Sequence, residues 1–210
     1  MKRLSICFLV AILLPRVICA SVLVGRTEGT FSLSPSGAAT YVIPIKVQQG
    51  LSDFIPEITL SYNSQGGNGI AGIGWSVSGL SSISIMPRST YFDGHSEAIY
   101  TGEDNVFALD GMRLLLTSGT NGMTGATYRT ENEQYSIISI ISCSNGTPQT
   151  FQVRASDGST YRYGSTTGRY QTPEGETYGW VLDYAEDALG NFISHNYSQA
   201  GILYPPTISY

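Results

Sequence analysis

Few side chains in this sequence of 210 residues suit acid–base, nucleophilic or metal chemistry, and their spacing limits what they can do. His95 sits in Asp93-Gly-His-Ser-Glu97, where two carboxylates flank an imidazole as an acid/base pair or a metal cradle would require. Turns favour the same residue types, and a plain or solvent-exposed turn is the stronger reading. His195 alternates with Tyr197 in a strand-like run and reads as a strand residue. Cys143 closes the apolar run that starts at Tyr135 and reads as a small buried hydrophobe. A reactive thiol or an intermolecular disulfide is the alternative, but thiol catalysis needs a histidine beside the sulfur, and no local signature supplies one. Asp183, Glu186 and Asp187 offer hard oxygen ligands for Ca²⁺ without the twelve-residue loop spacing. These residues assemble no catalytic set, no metal site and no cofactor cradle. Asn145-Gly-Thr147 and Asn196-Tyr-Ser198 are glycosylation sequons, relevant only in a host that glycosylates.

Aromatic residues give one binding alternative. Tyr161, Tyr163, Tyr170, Tyr178 and Trp180 cluster in sequence, and exposed rings of this kind stack on sugar faces. Cross-strand packing of alternate tyrosines is the favoured account, with glycan contact through Tyr161, Tyr163, Tyr178 and Trp180 as the alternative.

The elements that would hold these residues are strands. Charged residues make up 13% of the chain against roughly 25% in average proteins, while hydrophobic content is 41%. That combination is not the composition of disorder. Ser, Thr, Asn, 24 Gly and 14 Tyr fill the space instead, as strands joined by tight turns require. Lys2 and Lys46 are the only lysines, and the net charge is −5, so nucleic acid and anionic lipid lack the basic footprint they need.

Residues 1–20 read as a secretory signal peptide. Lys2 and Arg3 precede the apolar run Leu4 to Leu14, Pro15 breaks it, and Ile18-Cys-Ala20 offers a cleavage site. The run is too short to span roughly 30 Å of hydrocarbon. Cys19 raises lipidation, but Arg16-Val-Ile18 lacks the small residue expected before a lipidated cysteine. Cleavage lowers the basic residues from 11 to 8 against 16 acids, for a mature charge near −8. Cys7 and Cys19 leave with the leader, so one thiol remains and no internal disulfide can form. Burial must then hold the fold, and a chain of this length buries roughly 70% of its unfolded surface.

After the leader no amphipathic helix stands out. Ala39 to Val47 alternates with Tyr41, Ile43, Ile45 and Val47 on one face. Pro44 cannot donate to a ladder, which predicts an edge or a kink there. Glu57 to Tyr62 alternates likewise, with Ile58, Leu60 and Tyr62 together. Asp110-Gly111 and Asp157-Gly158, each between apolar runs, predict type I′ hairpins. Asp187-Ala-Leu-Gly-Asn191 separates a third pair of strands. The passage Asn63 to Leu80 holds Gly66, Gly67, Gly69, Gly72, Gly74 and Gly79. A phosphate loop would need a helix after it, but Trp75-Ser-Val-Ser78 is strand-like. The glycines therefore read as structural, with Trp75 pinning the loop; a buried Trp75 would cost roughly 3–5 kcal/mol on truncation to alanine.

These segments carry a family resemblance. Phe31 to Ile45, Pro56-Glu-Ile-Thr-Leu-Ser-Tyr-Asn-Ser64 and Gly67 to Ile83 resemble the opening of the Salmonella virulence plasmid B-protein family, shared with the B component of insecticidal toxin complexes and with secreted Rhs/YD-repeat proteins. Leu109 to Leu114, Tyr128 to Glu131 and Ser156 to Gly164 continue it more loosely, and Trp180 to Tyr197 resembles the family's passage into YD-type strands, with Asp187-x-x-Gly-Asn191 as turn. The resemblance implies an all-β fold of antiparallel strands and hairpins that starts a β-shell or cocoon. It implies a non-catalytic, secreted module, with residues 21–180 as the N-terminal β-domain and 181–210 as the first YD-type strands. Its structural residues would be Pro44, Tyr62, Asn63, Asn68, Gly72, Gly74 and Trp75. Its partner would be a downstream YD-repeat shell or a separately encoded toxin-complex component, with self-association when that shell is absent. Relatives carry toxic or ADP-ribosyltransferase segments further on, and stopping at Tyr210 reads as a truncated frame or the head of a split locus.

Overall fold

A computed structural model of the chain describes residues 28–47, 52–69, 71–99, 104–197 and 207–209. The expected signal peptide and Cys19 lie outside them. Each extended run noted above becomes a strand, and among the described residues the one helix is a single turn, α1 (Thr90–Asp93), capped by the Ser89 side chain.

The chain builds two sheets in sequence. The first has four antiparallel strands, β1 (Thr30–Leu33), β2 (Ala39–Ile45), β3 (Ile58–Asn63) and, after the two-residue strands β4 (Asn68–Gly69) and β5 (Gly72–Ile73), β6 (Trp75–Ser78). Their order is β1-β2-β3-β6, and β4 pairs with β5 alone. Pro44 lies in β2 opposite Thr59 of β3, past the point where β1 ends at Thr30↔Val42, so the ladder on the β1 side has already stopped.

The second sheet closes into a barrel. Its strands are β7 (Ser82–Met86), β8 (Val106–Leu109), β9 (Met112–Ser118), β10 (Thr127–Thr130), β11 (Ile137–Ser144), β12 (Thr147–Arg154), β13 (Thr160–Tyr163), the short β14 (Arg169–Gln171), β15 (Thr177–Glu186), β16 (Phe192–Asn196) and β17 (Thr207–Ser209). Strands β7 to β13 pair in sequence order, and β15 closes the eight-strand ring by pairing with both β7 and β13. β15 does this by changing partners along its length. Trp180 stands between Arg169 of β14 and Ile83 of β7, whereas Tyr184 stands between Arg162 of β13 and Ser194 of β16. A division at residues 180 and 181, as the sequence suggested, would cut this continuous strand; the extension beyond the barrel begins after Glu186. There β16 takes β15 on one edge and β17 on the other.

The barrel interior is a packed core. Ile83, Ile85, Phe107, Leu109, Leu114, Tyr128, Ile138, Ile140, Phe151, Val153, Trp180 and Leu182 fill it. Phe107 is its hub, edge-on to Tyr128, Phe151 and Trp180 at centroid distances of 5.9, 5.3 and 5.8 Å. The polar tips of Trp180, Tyr128 and Tyr163, which enter the core, are satisfied, as burial demands. The Trp180 indole N–H donates to Pro148 O at 3.0 Å, and the Tyr128 hydroxyl donates to Asn121 Oδ1 while accepting from Gly122 N–H. Tyr163 donates to Ser81 Oγ, which donates to Asp110 Oδ2 at 2.7 Å.

Turn chemistry explains the strand boundaries. Asp110-Gly111, with φ of 49° and 81°, makes the expected I′ hairpin between β8 and β9. Asp157-Gly158 does not: Ala155 N–H bonds Ser159 O, Gly158 N–H bonds Ala155 O, and only Gly158 has positive φ. This is a three-residue loop with glycine in the left-handed position. The same hydrogen-bond pair closes Ser34 to Ala38, Thr172 to Glu176 and Asp187 to Asn191, each with glycine in fourth place. Asn145-Gly146, noted in the sequence only as a sequon, is a second I′ hairpin with φ of 50° and 75°.

Candidate docking surface

The four-stranded sheet is polar on one face and apolar on the other. Its register sets Phe31, Tyr41, Tyr62 and Trp75 side by side across all four strands. The next row is Ile43, Leu60 and Val77, and the one after it is Ile45 and Ile58. Strand alternation sends Ser32, Thr40, Thr59, Ser61, Ser76 and Ser78 to the other face together with Val42 and Pro44, and there the Ser32 and Thr40 hydroxyls meet at 2.6 Å. No residue of these four strands is buried, and Phe31 and Leu33 are 63% and 68% exposed. Half-buried apolar rows of this size usually have a layer packed on them.

Glycines flatten the aromatic row. The Tyr41 ring occupies the space a side chain at Gly29 would need, and a Cβ at Gly74 would stand 2.7 Å from the Tyr62 ring. Both rings therefore lie on bare backbone, a device that protects glycine in sheets. Gly74 also needs its positive φ of 77°, which folds the loop back so that Asn63 N–H bonds Gly74 O at 2.8 Å. Asn63 O accepts from Gly66 N–H, its Oδ1 accepts from Gln65 N–H, and Gly74 N–H bonds Gly67 O. Asn68 and Gly72 sit in the small ribbon, Asn68 opposite Ile73 and Gly72 opposite Gly69. Of the residues singled out in the sequence, Tyr62, Asn63, Gly74 and Trp75 thus meet directly, while Pro44 stands apart at the far end of β2. Trp75 is half-buried, its ring 5.2 Å from Tyr62, so it does not carry the large burial the sequence suggested. Trp75→Ala is expected to cost roughly 1–2 kcal/mol, measurable by urea unfolding, because only part of its area leaves water.

The titratable residues go to structural partners. The Asp93 carboxylate takes both Arg113 guanidinium nitrogens, and that guanidinium holds its pKa below the usual carboxylate range. Arg113 also stacks on Phe92 at 4.8 Å, fixing α1 against β9. His95 is exposed, its Nδ1 against its own turn's Asp93 O and its Nε2 3.6 Å from Glu97 Oε2, while the Asp93 carboxylate is turned away to Arg113. The Asp187 carboxylate closes its own turn on Leu189 and Asn191. Buried Asp183 accepts from Ser165 Oγ, Thr166 N–H and Thr166 Oγ1, and Glu186 accepts from Tyr184. These three carboxylates therefore serve separate sets of partners. Cys143 is half-buried against the core and its thiol points to Gly122 O, rather than being buried outright.

The aromatic cluster splits in the same way. Trp180 and Tyr163 lie inside the barrel, 0% and 3% exposed, and offer no ring face to a sugar. Tyr161 is half-buried and packs against the core. Tyr178 is exposed and stacks on Tyr170 at 5.9 Å. Alternation does not make this division, since Trp180 and Tyr178 share a parity; the ladder between β15 and β7 covers Gly179 to Val181 and stops short of Tyr178.

His195 is the buried group with pH consequences. It is 4% exposed on β16, between β15 and β17, with an unbonded Nδ1; burial pushes its pKa down, and Asp183 partly restores it. A depressed folded pKa means the unfolded chain binds the proton more tightly, so stability falls as pH drops below about 6.5, the unfolded value. His195→Asn is expected to flatten the decline in urea midpoint between pH 7 and 5; an unchanged slope would assign the decline to other groups.

Comparison with known proteins matches this architecture. The family described as Salmonella virulence plasmid 65kDa B protein matches residues 33–201. Mono(ADP-ribosyl)transferase SpvB of Salmonella choleraesuis (strain SC-B67) is 28% identical over 198 residues, covering 81% of this chain and 32% of that protein. The Salmonella typhimurium protein is 27% identical with the same coverage. This chain therefore spans about a third of the length of those relatives. Among solved structures, TcdB2-TccC3 superposes with a TM-score of 0.65 at 19% identity, over 82% of this chain and 9% of that one. The N-terminal domain of effector protein SpvB from Salmonella typhimurium strain LT2 superposes with a TM-score of 0.55 at 21% identity, over 76% of this chain and 58% of that one. An all-β barrel with an added four-stranded sheet, matched by the family over most of its length, makes this chain a member of the Salmonella virulence plasmid 65kDa B protein family.

Proposed function

We propose that the chain is an exported, non-catalytic structural module that starts or caps the β-shell of a toxin-associated assembly. The observation that carries this reading is the behaviour of β15, which closes the barrel by pairing with β7 along its first half and β13 along its second, and recruits β16 on the free edge of that second half. β16 then recruits β17, so a sheet grows outward from a finished core. Among the described residues β17 pairs with β16 alone, and an open edge accepts a further strand. The partner in this reading is a YD-repeat shell, on the same polypeptide or encoded separately as a toxin-complex component. A non-catalytic role fits the commitment of Asp93, Asp183 and Asp187 to local hydrogen bonds. The same role fits similarity to a solved N-terminal domain of SpvB. The transferase activity in the name of the longer relatives is not carried over to this chain.

Two observations test the reading. The DNA beside this reading frame is expected to encode repeated strand pairs with Asp-x-x-Gly-Asn turns and a closing tyrosine; unrelated neighbours would count against a shell. N-terminal sequencing of protein from the culture medium is expected to begin at Ser21, and an intact Met1 would remove the export step.

A further inference from the structure

We infer that the cleft where three turns meet at one end of the barrel binds an arginine side chain of a partner polypeptide. The inference is independent of the shell reading, which rests on the strand pairing of β15 to β17.

The cleft has a volume of about 650 Å³ and is walled by residues 52–54, which link β2 to β3, by the β12–β13 turn and by the β15–β16 turn. That volume lies within the roughly 300–1,000 Å³ of small-ligand sites. Pairing of Thr160 with Glu186 brings the two barrel turns to the same end, and they touch: a Cβ on Gly158 would stand 3.1 Å from Ala188 Cβ.

Three features select the ligand. The first is a buried hydroxyl without a partner. Ser159 lines the cleft and is 5% exposed, yet its Oγ makes no hydrogen bond with any described residue, which is rare for a buried polar group. Its backbone is engaged, the N–H by Asp157 Oδ1 at 2.8 Å and the carbonyl by Ala155 N–H, so the side chain alone is left for a ligand. Charge is the second feature. Asp53, Asp157 and Asp187 line the cleft and no Lys, Arg or His does, so an anion is repelled and a cation is drawn in. The Asn191 amide beside Asp187 holds its pKa below the usual carboxylate range, so that charge persists.

Aromatic rings are the third feature. Phe54 and Tyr161 are half-buried in the walls. A planar guanidinium stacks on such a ring while its five donors reach carboxylate and hydroxyl oxygens together, which a compact, strongly hydrated ammonium does not do. Ala188 and Leu189 offer apolar surface to the methylene stem.

Titration of the nitrogen-15-labelled chain from Ser21 onward with the tripeptide Ac-Gly-Arg-Gly-amide, followed by amide correlation spectra, tests this. Saturable shifts are expected at Asp157 to Ser159, Tyr161 and Leu189 to Asn191. The lysine tripeptide is expected to bind several-fold more weakly, and the glutamate tripeptide not at all. Asp157→Asn keeps the oxygen that holds the turn and is expected to raise Kd about tenfold, the worth of one hydrogen bond to a charged group. Ser159→Ala is expected to raise it about threefold, and serves alone if Asp157→Asn does not fold. Glu133→Gln removes the same charge outside the cleft and is expected to leave Kd unchanged. No shift in this cluster at tens of millimolar peptide overturns the inference. Equal binding of the lysine tripeptide, an unchanged Kd in both cleft variants, or an equal rise in Glu133→Gln also overturns it. Saturable shifts from cellobiose but not from the arginine tripeptide would assign the cleft to a neutral sugar instead.

Discussion

Truncating Trp180 to alanine is expected to lower the free energy of unfolding by roughly 3–5 kcal/mol, the range for a large aromatic removed from a rigid core. The indole is fully buried, packed on Phe151 at 4.8 Å and on Phe107 at 5.8 Å, and its N–H satisfies Pro148 O. The surrounding strands are tied into a closed ring and cannot collapse into the vacated space, which places the cost high in the range. Urea unfolding at pH 7, with Trp75→Ala as the half-buried comparison, measures it. A loss below about 1 kcal/mol for Trp180→Ala would mean that the barrel interior is not packed as described.

The second large effect is expected at Gly164, where β13 ends and the chain crosses to β14. A Cβ there would stand 2.5 Å from Trp180 Cδ1 and 2.7 Å from Gln149 O, and the residue has a φ of +71°. Backbone strain and overpacking each cost about 1–3 kcal/mol, so Gly164→Ala is expected to lose roughly 2–6 kcal/mol. The double variant Gly164→Ala, Trp180→Ala discriminates the two causes. If overpacking against the indole dominates, the double variant loses less than the sum of the singles. Strict additivity would assign the cost to φ and to the Gln149 carbonyl.

The fold class was legible because period-two alternation and glycine-bearing turns are local signals. Tyr41, Ile43 and Ile45 share a face in the sequence and in the sheet, and Asp110-Gly111 is the expected hairpin. Barrel closure was not legible, because it depends on β15 pairing with β7, far away in the sequence, through Trp180↔Ile83. Without that contact the sequence left glycan stacking by Trp180 open as the alternative to cross-strand packing, whereas closure buries the ring. Trp75 shows the opposite case: a tryptophan in a glycine-rich loop suggests deep burial, yet its ring is only half-buried among the described residues. Asp157-Gly158 differed from Asp110-Gly111 because residues flanking the dipeptide, Ala155 and Ser159, pair with each other and widen the loop. Of the glycines that seat rings, Gly74 stood out in the sequence but Gly29 and Gly164 did not, and the ring over each could not be read there, since it comes from another strand or turn.

The central claim is that a self-sufficient barrel carries two unfinished β-surfaces, the four-stranded sheet before it and β16–β17 after it. Native-state hydrogen exchange of the chain from Ser21 onward tests it most directly. Amides of β8 to β13 are expected to exchange only through global unfolding, while those of β1 to β3 and of β16–β17 exchange faster through separate local openings. A single uniform protection across all three regions would contradict the account, since it would make the flanking sheets part of one finished core.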